Sequence, residues 1–568
     1  MTASKRTAKA TEESLHGIFT IPVAANSTLG RIEQEISQNL AGFLGDHIAA
    51  SEQALTEIEK DFSNASIPEQ PAFVSDHIQH LLDKLISQSV HTASPRFIGH
   101  MTSALPYFIL PLSKLMIGLN QNLVKIETSK AFTPMERQVL GMMHRLVYQD
   151  DDNFYQQWLH SANHSLGVFC SGGTIANITA LWAARNNLLK ADGKFRGIAR
   201  EGLFQALKHY QYDGLAILVS ARGHYSLKKS ADVLGIGQDN VIAIPTDANN
   251  KIDCQLLKAK CEQLAKDNIR VLSIVGVAGT TETGNIDPLE EMAEIAQHYN
   301  AHFHVDAAWG GATLLSNKYR PLLKGIHLAD SVTIDAHKQM YVPMGAGLVV
   351  FKNPASVAEI EHHAEYILRK GSKDLGSHTL EGSRPGMAML VYAALHIISR
   401  PGYEMLINSS IEKAHYFAQL IEQHPDFELI TQPELCLLTY RYNPASVQQL
   451  LKQYENNGDS YANSCANSCV DSSTNNNDDN SAQEKINGLL DKLTQFIQKR
   501  QRENGQSFVS RTRIEVAKYQ GRKTLVFRVV LANPLTSKEI LQSVLAEQAL
   551  LAQESETFLP ALLSLLPN

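Results

Sequence analysis

Between residues 166 and 335, short apolar runs alternate with amphipathic helical patterns in strand, helix, strand order. Few features constrain a fold more. Parallel neighbours need a long crossover, and a helix is the crossover that packs back onto the sheet. The runs are Leu166–Cys170, Leu215–Ser220, Val271–Val277, His302–Asp306 and Ser331–Ile334. They predict an α/β domain around a mostly parallel, doubly wound sheet. Ahead of the helical stretch PLEEMAEIAQHYN, Asp287 and Pro288 are expected to serve as N-cap and first-turn proline.

A chain of 568 residues exceeds what one core needs, so segments beyond this sheet are expected. A polar tail covers 1–20. A helical segment follows over 21–155, with apolar residues at three-to-four spacing in Leu29–Ile58 and Phe73–Val90. The sheet domain takes 156–398, and a smaller α+β domain takes 399–568, with a helix over Tyr403–Gln423, a strand in ELCLLTYRY, a helix over Ile486–Arg500, a strand over Thr524–Leu531 and a last helix from about Thr536. Inside that domain, residues 456–484 are almost purely Asn, Ser, Asp and small residues. Such a stretch buries too little apolar surface to offset its ordering entropy, so a disordered insertion is expected.

The formal net charge is -7, and the lysines and arginines are scattered, which argues against a nucleic-acid partner. The six cysteines form no CxxC pair and no metal-ligand spacing, as reduced thiols would. The N-terminus lacks an apolar signal region, and no window reaches the roughly 18 unbroken apolar residues of a membrane span. A cytoplasmic protein with no membrane partner is expected.

In open parallel sheets, ligands collect at the carboxyl ends of the strands. The first run leads into Ser171-Gly172-Gly173-Thr174 and a helix, where bare backbone N–H groups suit a phosphate, although a plain tight connection would look alike. The second leads to His224, and the third to a hydroxyl-rich bend containing Thr280. The fourth ends on Asp306, followed by small residues, Ala307 and Ala308, that would let a flat ring approach. His302, His304 and Asp306 share one face of that strand, so a metal-dependent hydrolase is an alternative. The fifth ends Asp335-Ala336-His337-Lys338, placing a candidate imine-forming lysine at the sheet edge. A phosphate turn, a stacking histidine, a carboxylate for a ring nitrogen and an imine lysine are together the contacts that pyridoxal 5'-phosphate needs.

With PRFIGH, NQNLVKIE, FCSGGTIANITALWAARN, GHYSLKKSADVLG, AGTTETGNIDP, HVDAAWGG, DAHK and GSRPG, the chain resembles the group II pyridoxal-phosphate-dependent decarboxylases, strongly over residues 94–400. The resemblance implies the PLP-dependent transferase-like fold (fold type I) with a mostly parallel seven-stranded sheet, and an obligate homodimer. It implies Lys338 as the Schiff-base lysine and His337 as a phosphate contact, with Gly172, Gly173 and Thr174 cradling the phosphate. Asp306 would face the pyridine nitrogen, with Ala308 and His224 on opposite faces of the ring and Thr280 among the cofactor contacts. Arg384 of GSRPG would meet the substrate's carboxylates. The likeness is greatest to a bacterial branch that converts aspartate to β-alanine for pantothenate and coenzyme A. Glutamate giving 4-aminobutyrate is the alternative, since one methylene is worth only about 1–3 kcal/mol of discrimination. Relatives carry a proton-donating tyrosine on a mobile loop, whereas residues 367–390 contain none, leaving Tyr366 and His378 as the nearby candidates.

Overall fold

A computed structural model of the chain describes residues 55–86, 88–364, 368, 371–453 and 475–566. The polar tail, most of Leu29–Ile58, residues 456–474, Tyr366, Cys465 and Cys469 lie outside the described residues. The chain divides into two compact units, one of Met1–His100, Tyr442–Arg511 and Leu535–Asn568, the other of Met101–Arg441 and Thr512–Pro534. The unit boundary near His100 differs from the expected one near residue 155. Helices after Met101 pack with the sheet, as in Phe132–Tyr148 (α1), whose His144 bonds through Nε2 to the carbonyl of Phe351 at 3.1 Å.

The larger unit is built on seven strands: β1 (Gly167–Cys170), β2 (Gly214–Ser220), β3 (Val241–Ile244), β4 (Ile269–Val277), β5 (His302–Asp306), β6 (Ser331–Asp335) and β7 (Gly347–Phe351). Their order is β1-β7-β6-β5-β4-β2-β3. Pairing is antiparallel on both sides of β7 and parallel everywhere else, so the other strands all run the same way. All five predicted runs are strands of this sheet, and β3 and β7 complete it. Every residue of β6 is buried, as expected for an interior strand of a sheet covered on both faces.

Helix α2 (Gly173–Leu188) explains much of that burial. Its sequence GTIANITALWAARNNL is apolar or small on nearly all sides, a composition that suits a helix enclosed by neighbours. Ala176, Ala180 and Ala183 pack with Val168 of β1 and Val349 of β7, while Leu181 and Ala184 join Ile217, Val219 and Val275 of β2 and β4. Full burial of each large side chain in this cluster contributes about 1.5–3 kcal/mol. Helix α3 (Ser226–Val233) adds Leu227 and Ala231 to the same cluster. The helix after β4, α4 (Leu289–His298), begins differently from expectation. Pro288 is the cap, and Asp287 instead accepts from the backbone N–H groups of Ile252 and Val277, each at 2.9 Å. Two buried N–H donors outbid the local capping geometry.

Nearly all of a second sheet also belongs to this unit: β8 (Phe427–Thr431), β9 (Leu437–Tyr442), β10 (Ser510–Val516) and β11 (Arg522–Val530), in the order β10-β11-β9-β8. The smaller unit is largely helical. Ile486, Leu490, Leu493 and Ile497 line one stripe of the helix Asn475–Asn504, and the helix Lys538–Gln553 buries Leu541, Val544 and Leu545. That first helix corrects the expected insertion, because residues from Asn475 onward are helical. Extending an anchored helix needs no new nucleus, so polar residues can join at small cost.

Candidate active site

A cavity of about 340 Å³ opens at the carboxyl edge of the seven-stranded sheet. Gly172, Gly173 and Thr174 line it from the turn between β1 and α2, and His224 from the turn between β2 and α3. Asp306 and Ala308 reach it from the end of β5, and His337 and Lys338 from the turn after β6. The predicted sheet-edge residues are thus brought together, with one exception. Thr280 is fully buried with its hydroxyl 2.8 Å from that of Thr283, and its neighbours Gly279 and Thr281 line the cavity instead.

Asp306 is 6% exposed and held at both oxygens. Its Oδ2 accepts from Asn177 Nδ2 at 2.9 Å, and its Oδ1 from the backbone N–H of Ala308 at 3.2 Å. Lys338 Nζ lies 3.1 Å from Asp335 Oδ2, a buried partner three residues back along the chain. Space for that carboxylate comes from two glycines. A Cβ on Gly173 would lie 2.8 Å from Asp335 Oδ2, and one on Gly347 would lie 2.6 Å from Oδ1. His337 donates from Nδ1 to the carbonyl of Ala346 at 2.9 Å, which fixes the ring's orientation. The pKa of His224 is lowered from its ordinary value, chiefly because burial disfavours the imidazolium.

Arg384 is not brought to the cavity, which corrects its expected role. Its guanidinium is buried against α1, donating from Nη1 to Glu136 Oε2 at 2.6 Å and from Nη2 to Oε1. Its charge is already balanced by that carboxylate. His378 is also buried away from the cavity, with its pKa pushed down to about 4, first by burial and then by Arg137. The metal reading of β5 fails on its donors. Both nitrogens of His304 are occupied, by Ser331 Oγ at 2.8 Å and Asn177 Oδ1 at 3.0 Å. Among the described residues no group of three His, Cys, Asp or Glu side chains is placed to hold a metal ion. Cys170, Cys254, Cys261 and Cys436 are buried and unpaired.

Several residues near the reacting space had no assigned role from sequence. Asn177 and Asp335 both line the cavity. The signal for Asn177 was an amide among the small and apolar residues of the first turns of the helix, and for Asp335 a carboxylate three residues before the lysine. Arg528 of β11 donates from Nε to the carbonyl of Thr281 at 2.7 Å, which brings a buried guanidinium beside the cavity lining. Burial pushes its pKa down to about 10.

A lysine, a carboxylate and a histidine around a helix N-terminus, at the carboxyl edge of a sheet of this order, define the class of fold type I pyridoxal-phosphate enzymes. The fold matches that of mouse CSAD with a TM-score of 0.74 at 22% identity, over 91% of this chain and 98% of that one. Residues 57–443 match the family model described as the pyridoxal-dependent decarboxylase conserved domain, and the chain belongs to that family. It is 64% identical, over all of both chains, to the aspartate 1-decarboxylase of Aliivibrio fischeri (strain ATCC 700601 / ES114). A more distant relative is the L-2,4-diaminobutyrate decarboxylase of Acinetobacter baumannii, 26% identical over 65% of this chain and 72% of that protein.

Proposed function

We propose that the chain removes the α-carboxylate of L-aspartate, giving β-alanine and CO2, with pyridoxal phosphate held in the cavity at the sheet edge. The identity across the whole length of the Aliivibrio fischeri protein carries the choice of substrate. The cavity residues fit the cofactor. The N-terminus of α2, free of side chains at Gly172 and Gly173, would receive the phosphate with Thr174 and His337. Two lining residues carry buried polar atoms with no partner among the described residues, Asp335 Oδ1 and Trp309 Nε1, as expected where a ligand completes the bonding.

Lys338 would hold the cofactor covalently, Asp306 would face its ring nitrogen, and His224 and Ala308 would lie on its two faces. Pyridoxal phosphate, when bound, supplies the electron sink that accepts the pair left as CO2 departs. Arg528, bonded to the lining residue Thr281, would supply a cation for the second carboxylate of an acidic substrate. A proton must then return to Cα. His378 is unsuited, being off the cavity and depressed in pKa, so the donor is sought among the cavity's own residues or in the segment containing Tyr366.

A homodimer is part of the same proposal, supported by the helix Ile109–Leu119, which leaves Leu110, Leu115 and Ile117 exposed. Light scattering tests it, and a monomer would refute it. A cytoplasmic setting is supported by the free thiols of the described cysteines. The deciding assay is CO2 release from an amino-acid panel, together with the visible absorbance of lysine-bound cofactor in wild type and Lys338→Ala. Preference for aspartate and loss of the band on substitution are expected. Preference for glutamate would displace the substrate assignment, and no release from any amino acid would sink the decarboxylase reading.

A further inference from the structure

Behind the cavity, a set of polar groups with a fully buried middle is joined end to end. His302 Nε2 lies 2.7 Å from Ser331 Oγ, which lies 2.8 Å from His304 Nδ1. His304 Nε2 lies 3.0 Å from Asn177 Oδ1. The amide nitrogen of Asn177 reaches Asp306 Oδ2 at 2.9 Å and Ser226 Oγ at 3.0 Å, and Ser226 Oγ lies 2.8 Å from His224 Nδ1. Asn177 is 1% exposed, and Ser226, His304 and Ser331 are 0% exposed, so the middle of the network is shut off from water, while His302 and His224 at its ends are partly exposed.

The directions of these bonds follow from chemistry. An amide nitrogen beside a carboxylate oxygen must donate, and Asn177 Nδ2 has two hydrogens, one for Asp306 and one for Ser226. Its Oδ1 therefore accepts, and His304 Nε2 carries a proton. Burial lowers the pKa of His304, so its Nδ1 is bare and accepts from the Ser331 hydroxyl, which in turn accepts from His302. On the other branch, Ser226 has received a hydrogen from Asn177 and is free to donate its own to His224 Nδ1. An independent bond agrees, since the backbone N–H of Ser226 also points at His224 Nδ1, at 3.3 Å.

We propose that Asn177 is a positioning residue that joins the two sides of the site, orienting the carboxylate of Asp306 and, through Ser226, holding His224 with its proton on Nε2. The tautomer stands on the hydrogen bonds alone. Its consequence for the cofactor rests on the placement proposed above, in which Asp306 and His224 meet the ring. One amide then sets both the ring-nitrogen partner and the neutral imidazole face, and neither can turn without the other losing a bond.

The test is nitrogen NMR of the full-length chain labelled with 15N-histidine, loaded with pyridoxal phosphate, alongside equilibrium retention of the cofactor. His224 should be neutral with an unprotonated, hydrogen-bonded Nδ1. In Ser226→Ala, a change of one hydroxyl whose fold is checked by denaturant unfolding, that resonance should move toward the value of an imidazole nitrogen without a hydroxyl donor. In Asn177→Asp, which keeps shape and acceptor but removes both amide hydrogens, the His224 resonance should also move although the two residues do not touch, and cofactor retention should fall at least tenfold. A proton on Nδ1 in the wild type, or an unmoved His224 in Asn177→Asp, would overturn the proposal. Asp306→Asn separates the two readings: unchanged retention there would sink the cofactor placement while the tautomer result still decides the role of Asn177.

Discussion

The phosphate end of the site can be tested through one hydrogen atom. In Gly173→Ala the new methyl would lie 2.8 Å from Asp335 Oδ2 and 3.2 Å from the Cβ of Ala308, both too close for ordinary contact. Relief requires the first turn of α2 or the Asp335 side chain to shift by several tenths of an ångström. Crowding of this sort costs about 1–3 kcal/mol, and alanine returns about 1 kcal/mol through its better helix propensity. The net loss of folding stability is therefore about 0–2 kcal/mol. The phosphate loses more. Misdirecting one charge-assisted N–H bond costs about 1.5–3 kcal/mol. At about 1.4 kcal/mol per decade, that is a tenfold to hundredfold weaker affinity. Fluorescence titration of pyridoxal phosphate into cofactor-free protein measures the second effect, and denaturant unfolding without cofactor measures the first. Wild-type affinity in Gly173→Ala would refute the placement of the phosphate at this helix end. Equal losses of affinity and stability would show that the methyl merely damages the fold.

Three further outcomes follow from the same geometry. Arg384→Ala should cost about 3–5 kcal/mol in denaturant unfolding, since it leaves Glu136 buried at 1% exposure without its partner, and Glu136→Gln in the same chain should recover part of that loss. Glu428 is half-buried between Arg441 at 2.7 Å and Lys518 at 2.5 Å; partial burial would raise its pKa, but these cations and the Tyr519 hydroxyl bring it down to about 2. Its stabilisation is present above the ordinary carboxylate pKa and lost as pH falls toward 2, so Glu428→Gln should flatten the loss of unfolding free energy across that acid window, by up to about 3 kcal/mol. In Arg528→Gln, KM for aspartate should rise at least tenfold, more than kcat falls, in steady-state CO2 release; an unchanged KM would remove this residue from substrate binding.

The strands and their chemistry were legible where the pattern was local. Five apolar runs announced five strands, and the polar residues at their ends announced the cavity. Strand β3 is four residues with only its two ends buried, and β7 opens on Gly347 at the end of Met344-Gly345-Ala346-Gly347, which reads as loop, so neither stood out. Asp287 had the local form of a helix cap, and only the tertiary approach of Ile252 and Val277 diverts it. Arg384 was misjudged because its partner Glu136 lies 248 residues away, a distance over which spacing carries no signal. Asn177 was in plain view within the motif FCSGGTIANITALWAARN, but its role depends on two other segments, β5 with His304 and Asp306 and α3 with Ser226.

The antiparallel strand β7 has a consequence for how the molecule comes into being. It pairs with β1 through Gly167 and Val350, and with β6 through Val332 and Val350. The glycine turn and the lysine turn therefore follow strands that are joined only once β7, the last of the seven in chain order, has been synthesised. Closing such a loop is slow, because its entropy is spent before the contacts that reward it can form. No early fragment of this chain owns both ends of the cofactor pocket. Cofactor capture is consequently a late event of maturation, and the first appearance of its colour during refolding marks a finished sheet.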